Sequence, residues 1–103
     1  AEVIGATPHE IVFTGCATEA NNLALMGVSR ALVLPKRHLV ISCIEHPAVA
    51  APAAALREQG WQVTSVPVDE YGRTSAAEVE KALRADTALV SVMHANNEVG
   101  TLQ

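Results

Sequence analysis

Aromatic residues are scarce in this chain of 103 residues, which contains one Phe, one Trp and one Tyr. Hydrophobic residues nevertheless make up 50% of it, and Ala, Val and Leu supply most of them. This composition is typical of helices packed on a buried parallel sheet. Charged residues amount to only 17%, which argues against disorder. The length allows one domain at most, and we expect it to be folded.

Positive charge and long apolar runs are also lacking. Seven basic against eleven acidic residues give a formal net charge of -4, so there is no basic stripe for nucleic acid and no polybasic membrane anchor. The longest apolar run, residues 48–56, is interrupted by Pro52 and is too short to cross a membrane. We therefore expect a small molecule or another protein as partner, with no nucleic acid and no membrane.

Cysteine is limited to two residues that are far apart in sequence. They form neither a disulfide framework nor a metal motif, which fits a reducing compartment, so we expect a cytoplasmic protein without a metal site. The first residues, A-E-V-I-G, have neither the cationic region nor the apolar run of a signal peptide. Because an initiator Met is also missing, we expect the chain to be cut from a larger protein.

Short β-type runs alternate with longer helical runs in the order βαβαβαβ. The predicted strands are residues 11–14, 38–43, 61–67 and 87–93, and the predicted helices run from 18 or 19 to about 31, from 47 to 59 and from 75 to about 84. Each connection is long enough for a right-handed crossover between parallel strands. The expected fold class is α/β, with a mostly parallel sheet in a three-layer α/β/α architecture.

Local signals support several of these boundaries. Pro47 suits the first position of a helix and Gly60 suits the residue after a helix. Ser75 and Glu78 have the spacing of a capping box. The last predicted strand is apolar on both faces, which predicts a central position in the sheet.

A turn of small residues, T-G-C-A-T at 14–18, joins the first predicted strand to the first predicted helix. The free backbone N–H groups and the positive dipole end of a helix can bind an anion there. Neither nucleotide fingerprint is present, so a phosphate of another kind is indicated. The alternative is that small residues only allow close packing. We favour a space-filling role for Cys16 over a nucleophilic one, because no base lies near it in the sequence.

Histidine and asparagine follow two other predicted strands, at the sheet edge where parallel α/β proteins bind ligands. His46 can stack on a planar ligand or move a proton near neutral pH. Asn96 or Asn97 can donate an amide hydrogen to a ligand oxygen. The alternatives are a hydrogen-bonded structural histidine and ordinary turn-forming asparagines.

Structural or surface roles are expected for the remaining candidates. Cys43 lies within a predicted strand and is expected in the core. His9 and His38 are expected to face solvent or to lie at strand edges. Lys36 and Lys81 are expected on the solvated surface.

Three segments resemble cysteine desulfurases, which belong to the class V aminotransferase group of fold type I pyridoxal phosphate enzymes. They are I-V-F-T-G-C-A-T-E-A-N-N-L-A at 11–24, E-H-P-A-V at 45–49 and M-H-A-N-N-E-V-G at 93–100. The resemblance extends over essentially the whole chain, including Y-G-R-T and D-T-A-L-V-S-V-M between them. It implies that residues 1–103 are a fragment of the large, cofactor-binding domain of such a transferase.

The resemblance also implies a cofactor, pyridoxal 5'-phosphate, and residues that bind it. Ala17 and Thr18 correspond to the loop that holds the cofactor phosphate, in which Cys16 replaces a glycine of the family. His46 corresponds to the histidine that stacks on the pyridine ring and is implicated in proton transfer, and so it is the catalytic candidate. Asn97 corresponds to the residue bonded to the phenolic oxygen of the cofactor.

In such enzymes a cysteine thiolate takes the sulfur of L-cysteine as a persulfide, and alanine is released. The implied partners are L-cysteine, a sulfur-acceptor or scaffold protein for iron–sulfur cluster or thio-cofactor assembly, and a second copy in a homodimer. The family's Schiff-base lysine, pyridine-nitrogen aspartate and persulfide cysteine lie beyond the position matched by Gln103. We therefore predict that the segment alone is inactive. The alternatives are a truncated binding or dimerisation module, a selenocysteine lyase or other class V relative, and a generic nucleotide-binding domain.

Overall fold

The structure, a computed structural model, describes residues 1–32 and 36–103. Its elements follow the order α1 (Ala17–Ala31), β1 (His38–Ser42), α2 (Pro47–Glu58), β2 (Gln62–Val66), α3 (Ala76–Ala82) and β3 (Thr87–Ser91). Two 3-10 turns, Glu2–Ile4 and Pro8–Glu10, precede them. The predicted alternation of helices and strands is therefore confirmed from α1 onwards.

The strands form a parallel sheet in the order β2-β1-β3. Pairing of β1 with β2 aligns His38 with Gln62 and continues in register to Ser42 and Val66. The connection from β1 to β2 runs in one direction across the sheet, and the connection from β2 to β3 runs back in the other. Right-handed connections therefore place α2 and α3 on opposite faces of the sheet. Because α1 packs against α2, the sheet lies between two helical layers. The predicted three-layer α/β/α class is confirmed.

The main hydrophobic core lies between β1 and the helices α1 and α2. Strand β1 is buried along its whole length, as expected for a parallel strand covered on both faces. The core cluster consists of Leu25, Leu39, Ile41, Val49, Ala53, Leu56 and Trp61. A central strand held on both faces fixes the position of the turn that follows Ser42.

Two strand predictions are wrong. Residues 11–14 are not part of a strand, and Phe13 in this segment is 95% exposed. A β-type sequence forms a strand only beside a pairing partner, and no strand of the described residues pairs with this one. The predicted strand 87–93 is β3, at an edge of the sheet rather than at its centre. The residues of β3 are at most half-buried, and Val90 is 39% exposed, so apolar residues on both faces do not establish a central position.

The helix signals are confirmed at α2 and not at α3. Pro47 begins α2, and Gly60 after it has a φ of 90°, a left-handed conformation that favours glycine. Ser75 precedes α3 without a side-chain capping bond, so the predicted capping box is wrong. The Glu78 carboxylate instead accepts a hydrogen bond from Lys81 Nζ at 2.6 Å, a pairing favoured by their spacing on one helix face.

No helix among residues 1–32 and 36–103 is long and apolar enough to cross a membrane.

Candidate functional site

Two clefts adjoin where β1 ends and α2 begins. The first, of about 490 Å³, is lined by the turn 43–47, by part of the turn 69–72 and by the turn 96–99 that follows β3. The second, of about 550 Å³, lies between α1 and α2 and is lined on the α1 side by Thr18, Asn22 and Met26. His46 and Pro47 line both clefts. The junction between β1 and α2 is therefore shared by two open spaces at the carboxyl end of the sheet.

His46 is the N-cap residue of α2. Its Nδ1 accepts a hydrogen bond from the backbone N–H of Ala48 at 3.0 Å, and its carbonyl accepts from Val49 and Ala50. Because Nδ1 is an acceptor, the neutral ring carries its proton on Nε2. The residue is exposed, so one ring nitrogen is fixed while the ring itself remains accessible from the clefts.

The turn before α1 has the geometry of a helix N-terminus. Helix α1 begins at Ala17, after Cys16 as N-cap with a φ of -163°. This is ordinary extended backbone, so the turn does not require the glycine that Cys16 replaces. The first amides of α1 have no carbonyl partner within the helix and can bind an anion. Thr18 lines the second cleft together with His46, whereas Ala17 lines neither cleft.

A carboxylate already contacts this turn. Glu19 Oε2 accepts a hydrogen bond from the backbone N–H of Gly15 at 2.8 Å, and Thr14 Oγ1 donates to the Cys16 carbonyl at 3.1 Å. Glu19 is exposed, so its side chain can leave the turn without uncovering a buried group. The turn therefore presents the backbone N–H of Gly15 to an anionic oxygen. The sequence predicts such donors at the helix amides, and Gly15 is an additional one.

The asparagine pair after β3 divides into two roles. Asn96 is 8% exposed, and its Oδ1 accepts hydrogen bonds from the backbone N–H groups of Glu98 at 2.9 Å and Val99 at 2.8 Å. The turn-forming interpretation therefore applies to Asn96. Asn97 is exposed and lines the first cleft, where its amide is available to a ligand.

Glu45 connects the turn after β1 with the turn after β3. No binding or structural role for this residue was predicted from the sequence. Its Oε1 accepts hydrogen bonds from Ser42 Oγ and from the backbone N–H of Met93, both at 2.7 Å. Glu45 is half-buried. The signal in the sequence is a charged residue that lies three positions after the end of a buried strand and directly precedes the candidate His46.

The charges around the two clefts differ. The first cleft is lined by Glu45, Asp69, Glu70 and Glu98, so it disfavours an anionic group. The second has no acidic residue in its lining and includes Thr18 from the first turn of α1, close to the positive end of the helix dipole. An anion is therefore favoured on the α1 side of His46.

Two expectations about reactive side chains have different outcomes. Cys43 is exposed and lines the first cleft, so the prediction of a core residue is wrong: β1 ends at Ser42, one residue before it. The lysines lie away from the clefts, as predicted. Lys36 is exposed and precedes β1, at the opposite end of the strand, and the Lys81 side chain is 72% exposed on α3.

Comparison with known families and proteins gives consistent matches. The model of a family described as aminotransferase class-V matches residues 1–103. Cysteine desulfurase IscS of Dictyoglomus turgidum is 46% identical over 103 residues, which cover 100% of this chain and 26% of that protein. Cysteine desulfurase IscS 1 of Archaeoglobus fulgidus is 47% identical over 102 residues, 99% of this chain and 27% of that protein. The chain thus spans about a quarter of the length of these curated relatives.

Solved structures match the chain equally well. DndA from Streptomyces lividans has a TM-score of 0.92 at 42% identity, over 100% of this chain and 29% of that one. SspA in complex with cysteine has a TM-score of 0.92 at 42% identity, over 99% of this chain and 29% of that one. The fold and the sequence therefore point to the same group of proteins.

Proposed function

We propose, from the premise that this chain belongs to the aminotransferase class-V family, that it is a segment of the cofactor-binding domain of a pyridoxal phosphate-dependent cysteine desulfurase. The family membership confirms the resemblance found in the sequence. The observation that carries the proposal is that His46 lines both clefts, with Thr18 in one and Asn97 in the other. Three side chains assigned by resemblance to one cofactor thus line two adjoining clefts that share His46.

The proposed reaction transfers the sulfur of L-cysteine to an enzyme thiolate. The thiolate attacks the substrate sulfur, an S–S bond forms and the C–S bond breaks. The electron pair of that bond stays on the carbon, which takes up a proton and becomes the methyl group of alanine. The relatives named cysteine desulfurase, at 46% and 47% identity, and the structure of SspA in complex with cysteine support this substrate.

The residues at the clefts fit pyridoxal phosphate. The amides of Ala17 and Thr18 and the Thr18 hydroxyl offer donors to a phosphate, and Gly15 N–H already binds a carboxylate oxygen in this turn. The acidic lining of the first cleft disfavours a phosphate there. The N-terminus of α1 would therefore hold the phosphate, and His46 and Asn97 would hold the ring.

Each of these residues has a distinct chemical task. When bound, the cofactor supplies an electron sink for bonds at the substrate α-carbon. His46 would stack on the ring, and its Nε2 would hold or move a proton, since Nδ1 accepts the Ala48 N–H. That hydrogen bond also restricts rotation of the imidazole. Asn97 would donate its amide hydrogen to the phenolic oxygen of the ring.

The remaining parts of the active site lie outside this chain in our proposal. Neither Lys36 nor Lys81 lies at the clefts, so a lysine elsewhere in the protein attaches the cofactor, and a cysteine elsewhere carries the persulfide. Residues 1–103 alone are therefore inactive. We further propose a homodimer that delivers sulfur to an acceptor or scaffold protein for iron–sulfur cluster or thio-cofactor assembly. We keep the cytoplasm as its location, although one relative at 46% identity is named mitochondrial.

The test is the reaction of the full-length protein that contains this chain with L-cysteine, in the presence of pyridoxal phosphate and a thiol reductant. We expect the visible absorption of a bound cofactor, and alanine and sulfide in equal amounts. Residues 1–103 expressed alone serve as the comparison and should produce neither product. Amino-group transfer without sulfide would assign the protein to another branch of the family. Selenocysteine as a competing substrate would measure the preference between the two amino acids.

A further inference from the structure

We propose that Glu45 and Asn96 form a clamp that positions His46 and Asn97 for the cofactor. The clamp joins the turn after β1 to the turn after β3, and we call it the inter-turn clamp. The inference rests on the proposed function, because it assigns to Glu45 and Asn96 a positioning role for that cofactor. Neither residue is a catalytic residue in this proposal.

The two turns are linked by one contact from each side. Glu45 Oε1, in the turn after β1, accepts the backbone N–H of Met93 at 2.7 Å. In the opposite direction, Asn96 Nδ2 donates to the backbone carbonyl of Ile44 at 3.5 Å. Each side chain therefore binds the backbone of the other turn. These contacts join residues 48 and 52 positions apart, so they hold tertiary structure rather than local turn geometry.

Both clamp residues are anchored on their own side as well. Glu45 Oε1 also accepts from Ser42 Oγ at 2.7 Å, and Ser42 is 1% exposed at the end of the buried strand β1. Asn96 Oδ1 accepts the two amides that form the turn after it. Hydrogen bonds to a carboxylate are shorter and stronger than neutral ones, so Glu45 is the stronger half of the clamp.

The position of the clamp in the chain suggests what it holds. Glu45 directly precedes His46, and Asn96 directly precedes Asn97. In both turns an anchored residue is followed by an exposed one that lines the first cleft. Ligand groups act best when neighbouring contacts fix them before the ligand arrives. The clamp therefore sets the separation between the ring that stacks on the cofactor and the amide that binds its phenolic oxygen.

The experiment compares Glu45→Gln with Glu45→Ala in the full-length protein. The Gln amide oxygen can accept both hydrogen bonds of Glu45 Oε1, whereas Ala removes both. The first readout is the exchange rate of the Met93 amide hydrogen, measured in the cofactor-free protein. The others are the Kd for pyridoxal phosphate and the visible circular dichroism of the saturated protein, which reports the orientation of the bound ring. Ser42→Ala is the matched control, because it removes one bond to Oε1 and leaves the link to Met93.

The clamp predicts faster exchange at Met93 and a Kd about tenfold higher in Glu45→Ala, as for other residues that orient a ligand-binding group. The ring dichroism should also change at saturation. Glu45→Gln should restore all three readouts to within about twofold of the wild type, and Ser42→Ala should stay close to it. If Glu45→Ala does not fold, Glu45→Asp, which is too short to reach both donors, answers the same question.

Three outcomes would overturn the inference. An unchanged Kd and dichroism in Glu45→Ala, with only a lower melting temperature, would show that Glu45 supports the fold alone. A Glu45→Gln variant as impaired as Glu45→Ala would show that the charge matters rather than the two hydrogen bonds. A wild-type protein that does not bind pyridoxal phosphate would overturn the proposed function itself, and with it the positioning role. The wild-type titration separates this last case from the other two.

Discussion

His38 and His46 mark the two ends of the segment that carries β1, and their surroundings are opposite. His38 opens the strand and is 0% exposed. Its Nδ1 is 2.8 Å from Thr87 Oγ1 of β3, and its Nε2 is 2.8 Å from Thr64 Oγ1 of β2. His46 follows the strand and is exposed, with a hydrogen bond to Nδ1 from Ala48 N–H. Within the described residues, no protein group is bonded to its Nε2.

This difference separates a histidine that holds the sheet together from one that is available for chemistry. Both ring nitrogens of His38 are hydrogen-bonded to neighbouring strands, as expected for a buried polar group. His46 uses one nitrogen to cap a helix, and its Nε2 has no partner among the described residues. The amino ends of the strands are thus closed by protein contacts, while the carboxyl ends open into two clefts, as in other parallel α/β sheets.

The largest effect is expected from removing the ring of His46 while keeping its cap. His46→Asn retains an oxygen that can accept the Ala48 N–H, because Asn is among the best N-cap residues. We expect kcat/KM for L-cysteine in the full-length protein to fall by about 100-fold or more, the usual effect of losing a positioned proton-transfer group. The melting temperature should change little. Activity close to that of the wild type would remove His46 from the proposed mechanism.

A large loss of stability is expected at the other end of the strand. His38→Leu leaves the hydroxyls of Thr64 and Thr87 without their ring partner, and we expect a cost of about 2–4 kcal/mol in unfolding free energy. Thermal unfolding followed by circular dichroism measures it. The matched variant His38→Leu with Thr64→Val removes one orphaned hydroxyl and should recover part of the loss. If His38→Leu melts like the wild type, His38 is not the link between strands that its contacts indicate.

The course of the chain could be predicted from local sequence signals. The periodicity of apolar residues predicted the order of helices and strands from α1 onwards, and Pro47 and Gly60 marked the ends of α2. The choice of His46 as a candidate needed only its place after a buried strand. These features depend on residues close together in sequence, which is why a pattern within one segment suffices.

Features that depend on pairing between segments could not be predicted. His38 is bonded to residues 49 and 26 positions away, and Glu45 to one 48 positions away, so the burial of His38 and the link made by Glu45 emerge only once the strands are aligned. The same holds for the edge position of β3. The sequence pattern does not show which of the two adjacent asparagines has an available side chain. The hydrogen bonds of Asn96 within its turn leave Asn97 as the available one.

A pH dependence of stability is expected from the buried His38. Burial lowers the pKa of His38 below its ordinary value, Arg84 lowers it further, and Asp86 partly opposes this. The folded protein therefore favours neutral His38, and the unfolded chain binds more protons once the pH falls below about 6.5. The stability contributed by His38 is complete above that pH and is lost on acidification.

We therefore expect the melting temperature of the wild type to fall between pH 7 and pH 5. The fall should be smaller in His38→Leu, which has no imidazole at this position. Melts in buffers of equal ionic strength provide the measurement. An equal slope in the wild type and in His38→Leu would mean that other groups carry the pH dependence.

The smallest effect is expected from the ion pair next to His38. Arg84 Nη2 and Asp86 Oδ2 are 2.6 Å apart, with side chains 43% and 32% exposed, and the hydrogen bond from Arg84 lowers the pKa of Asp86. A solvated pair of this kind contributes little to stability near neutral pH. Asp86→Asn should therefore melt close to the wild type at pH 7, and the small contribution of the charged carboxylate is lost from the wild type on acidification below the ordinary pKa of a carboxyl. Since Asp86 also raises the pKa of His38, the same variant should steepen the loss of stability below pH 6.5. If stability falls less steeply with decreasing pH in Asp86→Asn than in the wild type, Asp86 does not act on His38. The contrast between the amino and carboxyl ends of the strands would then rest on the two threonine contacts of His38 alone.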